Sequence, residues 1–155
     1  MTGKPLRLIS VGKLKKSFWK DAAAHYESRL ERWRHLESIQ VREADGPPQS
    51  RNRLEGRKIL QNLSSRDIPL VLDERGEGIS SVGLAAILQK TDQESSGILC
   101  FIIGGAYGLD DAVHARAHRL LRLSDMTLPH EMARVFLLEQ IYRAECISRN
   151  IPYHH

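Results

Sequence analysis

The sequence predicts an α/β fold in which a mostly parallel sheet is covered by helices on both faces. Three observations point there. Strand-like apolar runs alternate along the chain with stretches of three- or four-residue periodicity. The runs at 68–72 and 98–103 are apolar on nearly every position, as strands buried on both faces must be. The 155 residues, 41% of them apolar, suit one domain (1–155), and the only linker candidate, 45–49, is too short and too early to divide it.

Leu6 to Val11 is a short, partly β-branched run ended by Gly12, hence a first strand. From Ser17 the pattern turns helical, with Phe18, Ala22, Tyr26, Leu30 and Trp33 forming a stripe expected to pack on the sheet. Leu36, Ile39 and Val41 mark a second strand within 35–43. Asp45-Gly46-Pro47-Pro48 must be loop. Ser50 to Leu63 reads as a basic amphipathic helix burying Leu54, Ile59, Leu60 and Leu63. The strand Ile68–Leu72 is closed by Asp73-Glu74-Arg75-Gly76-Glu77-Gly78. Ser80 or Ser81 can cap a helix that runs to about Lys90. Ile98–Ile103 is the most apolar strand, and Gly104-Gly105-Ala106-Tyr107-Gly108 follows it at once. A helix is expected from Leu109 to Leu120. Pro129 then opens a long final helix that reaches about Arg149.

Charge is unevenly spread. Residues 1–66 carry 15 Lys+Arg against 7 Asp+Glu (+8), and residues 67–155 carry 8 against 12 (−4). A basic N-terminal lobe attracts polyanions and steers their approach. No apolar run approaches the roughly 20 residues of a membrane helix, and Met1–Gly12 lacks a signal-peptide layout. Cys100 and Cys146 sit in apolar surroundings and read as small hydrophobes in a reducing compartment, so a cytoplasmic location is expected.

In open α/β sheets ligands bind beyond the carboxyl ends of the strands. Three such ends carry unusual loops here: the one after Leu72, the glycine-rich 104–108, and Ser124 to Pro129. The glycine run lacks both the Lys-Ser/Thr of a phosphate loop and the G-x-G-x-x-G spacing, which disfavours phosphate cradling and dinucleotide binding. The final helix is apolar around most of its circumference, so it needs cover on nearly every side, within the chain or from a second subunit. Glu139 and Arg143 stand four apart in its middle, where a buried charged pair calls for a functional reason. Tyr153, His154 and His155 end the chain with a ring that can stack on an unpaired base and imidazoles that can donate to it. His114 and His118 are four apart, but no glutamate lies between them and Arg116 and Arg119 crowd them, so no metal is expected.

Four ordered segments carry a resemblance: Ile102-Ile103-Gly104-Gly105-Ala106-Tyr107-Gly108-Leu109, Leu123-Ser124-Asp125-Met126-Thr127-Leu128-Pro129-His130, Glu139-Gln140-Ile141-Tyr142-Arg143-Ala144 and Asn150-Ile151-Pro152-Tyr153-His154. With them the chain resembles, over its whole length, the ribosomal RNA large-subunit methyltransferase H family. These are SPOUT-class enzymes with a C-terminal trefoil knot that methylate N3 of a pseudouridine in 23S ribosomal RNA. The resemblance implies a homodimer with S-adenosylmethionine held in the knot. Carried over by position, Leu72, Gly104, Gly105 and the segment Ser124, Asp125, Met126, Thr127, Leu128 and Pro129 form the cofactor loops. Glu139, Arg143, Tyr153 and His154 then build the nucleoside site, with contributions from both subunits. The chain departs from the family where Ala106-Tyr107 replaces a Pro-Glu-type pair and where His155 stands in place of a terminal lysine or arginine. The rival readings are a non-catalytic RNA- or ribosome-binding protein using the basic lobe, and a small metal-dependent hydrolase built on His114 and His118.

Overall fold

The structure of the chain, a computed structural model, describes residues 3–155. Ten elements follow one another: β1 (Leu6–Val11), α1 (Ser17–Leu30), β2 (Leu36–Val41), α2 (Pro48–Asn62), β3 (Asp67–Gly78), α3 (Ser81–Glu94), β4 (Ile98–Ile103), α4 (Asp111–Arg116), β5 (Arg119–Arg122) and α5 (His130–Ser148). The five strands form one parallel sheet in the order β2-β1-β4-β3-β5. The expected α/β architecture is therefore present.

The sheet is buried from both sides because successive residues of its inner strands are apolar. Leu8, Phe101 and Leu70 face a core shared with α1, α3 and α5. Ile9, Cys100, Ile102 and Val71 face a second core closed by α2 and α4. Full burial of each large side chain contributes about 1.5–3 kcal/mol, and this concentration in β4 and β3 fixes them at the centre. Ser80 caps α3 by accepting from the Gly83 amide at 2.9 Å.

Four sequence expectations need correction. The segment expected as a helix over 109–120 divides into a six-residue α4 and the strand β5. The turn after Leu72 does not close β3. The strand resumes at Glu77 across a bulge, and both Leu72 and Glu77 pair with Leu121. Gly76 permits this, because a Cβ there would lie 2.7 Å from the backbone of Leu120 and Leu121. The α1 stripe packs chiefly on α5 rather than on the sheet, with Trp19 turned inward and Phe18 exposed. In α2 the buried positions are Glu55, Gly56 and Ile59, while Leu54 faces solvent. Glu55 is buried because its Oε2 accepts the Ala44 amide at 2.9 Å, a satisfied polar contact the apolar pattern does not reveal.

The final helix finds most of its cover within the chain, lying between α1 and α3 above the sheet. Its C-terminal half is pinned by a buried ion pair, Arg34 Nε donating to Glu145 Oε1 at 2.6 Å, and Arg34 also donates to Asp92 at 2.6 Å. Among the described residues no helix is long and apolar enough to cross a membrane.

Candidate functional site

Because β4, β3 and β5 are neighbours, the loops leaving their carboxyl ends converge. Between them lies a cavity of about 580 Å³. The β3 bulge (Asp73, Glu74, Arg75) forms one wall and the glycine turn 104–108 a second. The segment 122–128 and the first turns of α5, at His130 and Ala133, complete it. Of the nine residues expected in the cofactor loops, Leu72, Gly104, Gly105, Ser124, Met126, Thr127 and Leu128 line this cavity. Asp125 and Pro129 do not. Asp125 pairs outward with Arg122 Nε at 2.7 Å, and Pro129 caps the backbone of α5.

The glycine turn is tight for a local reason. The Gly108 amide donates to the Gly105 carbonyl at 3.1 Å, and Gly108 holds φ +82°, the left-handed region. A Cβ on Gly104 would come within 2.9 Å of the Gly108 carbonyl, so this backbone folds on itself only without a side chain. Opposite, the Ser124 hydroxyl accepts the Met126 amide at 2.9 Å, which turns the chain and leaves Met126 79% exposed at the cavity mouth. Asp73 anchors the bulge by accepting from the Arg75 amide and from His114 Nε2, both at 2.8 Å. Burial pushes its carboxyl up, but the hydrogen bonds from Arg75 and His114 outweigh that and hold it below the ordinary carboxylate value.

The second expected group is also brought together. Asn150, at φ 56°, ends α5 in a left-handed turn: its amide donates to Ile147 and that of Ile151 to Cys146. This is a Schellman cap completed by asparagine, and Pro152 follows where the helix cannot continue. The cap folds the tail back along α5. Tyr153 meets Tyr142 edge to face at 4.9 Å, and its hydroxyl donates to Glu139 Oε1 at 2.9 Å. The same oxygen receives Arg143 Nη2 at 2.6 Å and Nε at 3.0 Å. Arg143 also lies 4.7 Å over the Tyr153 ring, and its Nη1 reaches His154 Nδ1 at 3.3 Å. Burial and then the Glu139 contact raise the Tyr153 pKa, so the phenol stays a neutral donor. His155 is exposed.

The cavity and this cluster are separate within one chain. At 1.5 Å of rise per residue, Glu139 stands about 9 Å and Arg143 about 15 Å along α5 from Ala133 in the cavity wall. A half-exposed stripe (Met132, Phe136, Glu139, Gln140, Arg143) joins them.

Sequence reasoning placed the loop after Leu72 and the 104–108 turn at the ligand edge without singling out Asp73, Glu74 or Tyr107, and it did not assign Arg122 or His130 to the cavity. Charged residues directly after an apolar strand were the available signal. His114 and His118 do not form a chelating pair. Only His114 is helical, its Nε2 is engaged by Asp73, and His118 follows the helix with its amide donating to Pro69. Among the described residues no group of three or more His, Cys, Asp or Glu could hold a metal ion.

A family model described as a predicted SPOUT methyltransferase matches residues 5–154. A solved structure, a probable methyltransferase from Bordetella pertussis, shares the fold with TM-score 0.62, 13% identity and coverage of 91% of this chain and 94% of that one. The chain thus belongs to the SPOUT methyltransferase class. Relatives narrow this further. The ribosomal RNA large subunit methyltransferase H of Desulfovibrio desulfuricans is 64% identical over 100% of both chains. Proteins of the same name from Nitratidesulfovibrio vulgaris (52%, over 98% of this chain and 99% of the relative) and Lawsonia intracellularis (45%, over 100% of both) also match. The chain belongs to the ribosomal RNA large subunit methyltransferase H family.

Proposed function

We propose that the chain is a cytoplasmic, homodimeric enzyme that uses S-adenosylmethionine to methylate N3 of a pseudouridine in 23S ribosomal RNA on the assembled ribosome. The observation that carries this reading is the cavity at the carboxyl edge of β4, β3 and β5. It is built from a glycine-rich turn and apolar loop residues in a chain 64% identical to a relative of that name. The strand order, with β4 entering between β1 and β3 before β5 pairs outside β3, supports the trefoil knot expected of the class.

The residues fit the cofactor. A cavity of about 580 Å³ suits a ligand of nucleoside size. Leu72, Met126 and Leu128 offer apolar contact for an adenine ring, and the glycine turn presents backbone groups at close range. Glu74 and Arg122, of opposite sign, suit the zwitterionic amino-acid end. When bound, S-adenosylmethionine supplies a methyl group activated by its sulfonium.

The protein's own work is positioning and charge stabilisation. Glu139 Oε1 already receives three donors from Arg143 and Tyr153. It is therefore a holder of those two side chains and not the acceptor of the imide proton. Tyr153 offers a ring face to the base. Arg143 stabilises the negative charge that builds on the base as N3 loses its proton to water. His154, whose Nδ1 lies 3.3 Å from Arg143 Nη1, offers its other ring nitrogen to a base carbonyl. The separation of cluster from cavity along α5 supports a site shared across the dimer, one protomer's cluster meeting its partner's cavity, with the half-exposed α5 stripe at the seam.

Calorimetry with S-adenosylmethionine, followed by mass analysis of ribosomal RNA from cells lacking the protein, tests the reading. Bound cofactor and loss of one methyl from a pseudouridine are expected. Absence of cofactor heat overturns the reading in favour of a binding protein.

A further inference from the structure

A second cavity, of about 320 Å³, lies on the other side of the first turns of α5. Lys13, Lys20, Glu27, Gln40 and Arg134 are among its lining residues. Arg134 is only 6% exposed, yet its Nε and Nη1 have no hydrogen-bond partner, and its Nη2 reaches only Ser38 Oγ at 3.5 Å. Ser10, paired in register with Gln40, is also buried with an unpartnered hydroxyl. Buried guanidinium groups are almost always paired, because desolvating a charge without compensation is strongly unfavourable. Burial lowers the Arg134 pKa, opposed by Glu27, yet Glu27 forms no ion pair with it. Three cations against one carboxylate leave these walls at +2.

The position of the cavity says what such a charge is for. His130 and Ala133 face the principal cavity while Arg134, the next residue, faces this one, so the two share α5 as a wall. Glu131 Oε1 accepts the Lys15 amide and, at 3.3 Å, that of Lys16, which fixes the lysine-bearing segment 13–20 against the same turn. The opening adjoins the principal cavity along α5, and the segment belongs to the +8 lobe. Guanidinium and ammonium groups together recognise phosphate.

We propose that this cavity receives a backbone phosphate of the RNA substrate, held by Arg134 with Lys13 and Lys20. The inference rests on the RNA methyltransferase reading, and its test separates the two. In thermal unfolding, inorganic phosphate at constant ionic strength should raise the midpoint of the wild-type protein saturably, and Arg134→Met should abolish that rise. In binding to assembled bacterial ribosomes, the salt dependence of log K should become shallower by about 0.7 in Arg134→Met, the loss of one phosphate contact to single-stranded RNA.

A phosphate-induced shift that survives Arg134→Met overturns the site. A shift that disappears while the salt slope stays unchanged makes it a site for free phosphate and overturns the RNA assignment. If Arg134→Met does not fold, the surface double variant Lys13→Gln/Lys20→Gln is read in the same two assays, with a weakened phosphate shift expected and an unchanged one decisive against the proposal. Should the wild-type protein bind neither ribosomes nor S-adenosylmethionine, the enzymatic reading and with it the RNA assignment fail, while the phosphate shift still reports whether the anion site exists.

Discussion

The hydroxyl of Tyr153 donates to Glu139 Oε1 across 2.9 Å, which ties the last turn of the chain to the middle of α5. Arg143 completes the group from one helical turn further on. Because Glu139 holds both partners, Glu139→Gln should disperse the cluster without touching the cofactor cavity. S-adenosylmethionine affinity stays at the wild-type level while methyl transfer falls about 100-fold, the effect of displacing reacting groups by about an ångström. Tyr153→Phe removes one hydrogen bond, worth about 1 kcal/mol of stability, and should lower the turnover number more than the cofactor affinity. Single-turnover methylation and calorimetry on the same samples check both.

The glycine turn sets the shape of the cavity through backbone contacts. In Gly104→Ala the new methyl group would lie 2.7 Å from Leu109 Cγ and 2.9 Å from the Gly108 carbonyl. The side chain can give way, but the carbonyl moves only if the turn opens. Cofactor affinity should drop at least about tenfold, near 1.4 kcal/mol, with little change in unfolding midpoint. Calorimetry showing wild-type affinity would mean that the turn does not shape the binding site.

Much of this architecture is legible in the sequence because apolar continuity and tertiary burial agree. The strands β1, β2 and β4 are bounded by side chains that bury themselves wherever they pair. β5 is different. Arg119-Leu120-Leu121-Arg122 carries charge at both ends and follows a helical signal, and only pairing with β3 on both sides of its bulge makes it a strand. Gly76 was the one local hint, since its missing side chain admits the β5 backbone. The cluster at Glu139, Arg143, Tyr153 and His154 was readable as residue types that sit awkwardly in a greasy helix and tail. Its distance from the cavity was not, because that depends on which turns of α5 reach the sheet edge. Arg134 was equally hidden, since one arginine in a helix says nothing of its burial.

Asp73 makes the β3 bulge sensitive to acid. Its carboxyl lies below the ordinary value in the folded chain, so its stabilising effect is present above the unfolded-state value and is lost as pH falls through the folded one. Between about pH 5 and about pH 3 the wild-type protein should therefore lose more stability than Asp73→Asn, which is less stable at neutral pH and flatter in its acid response. Denaturant melts across that range measure the difference. Parallel curves would show that Asp73 carries no such linkage.

Among the described residues Arg34 and Glu145 form the ion pair with the least solvent, their side chains 4% and 3% exposed. Glu145→Ala leaves the guanidinium with Asp92 and the Lys4 carbonyl but without its most buried partner. Breaking a buried pair from one side costs about 3–5 kcal/mol. A urea midpoint lowered accordingly, with an unchanged slope, is expected. The loss should fall on the α5 end that carries Tyr153, so methyl transfer weakens before cofactor binding does.

The shared-site reading makes a prediction that a self-contained protomer cannot meet. Gly104→Ala damages a cavity and Glu139→Gln damages a cluster, and each homodimer carries only defective sites. If one protomer's cluster serves its partner's cavity, a mixed dimer holds one site with both defects and one with neither. Random subunit exchange between equal amounts of the two variants makes half the dimers mixed, so activity should recover to roughly a quarter of wild type. If cluster and cavity of the same chain work together, every site in the mixture retains a defect and nothing is regained. The α5 stripe supplies the control. Phe136→Glu places a charge on the proposed seam, where desolvation opposes it, and should yield monomers in sedimentation. Added to both variants, it should prevent the recovery. A Phe136→Glu protein that stays dimeric would mean that the stripe is not the seam, and no recovery in demonstrably mixed dimers would return the whole site to a single chain.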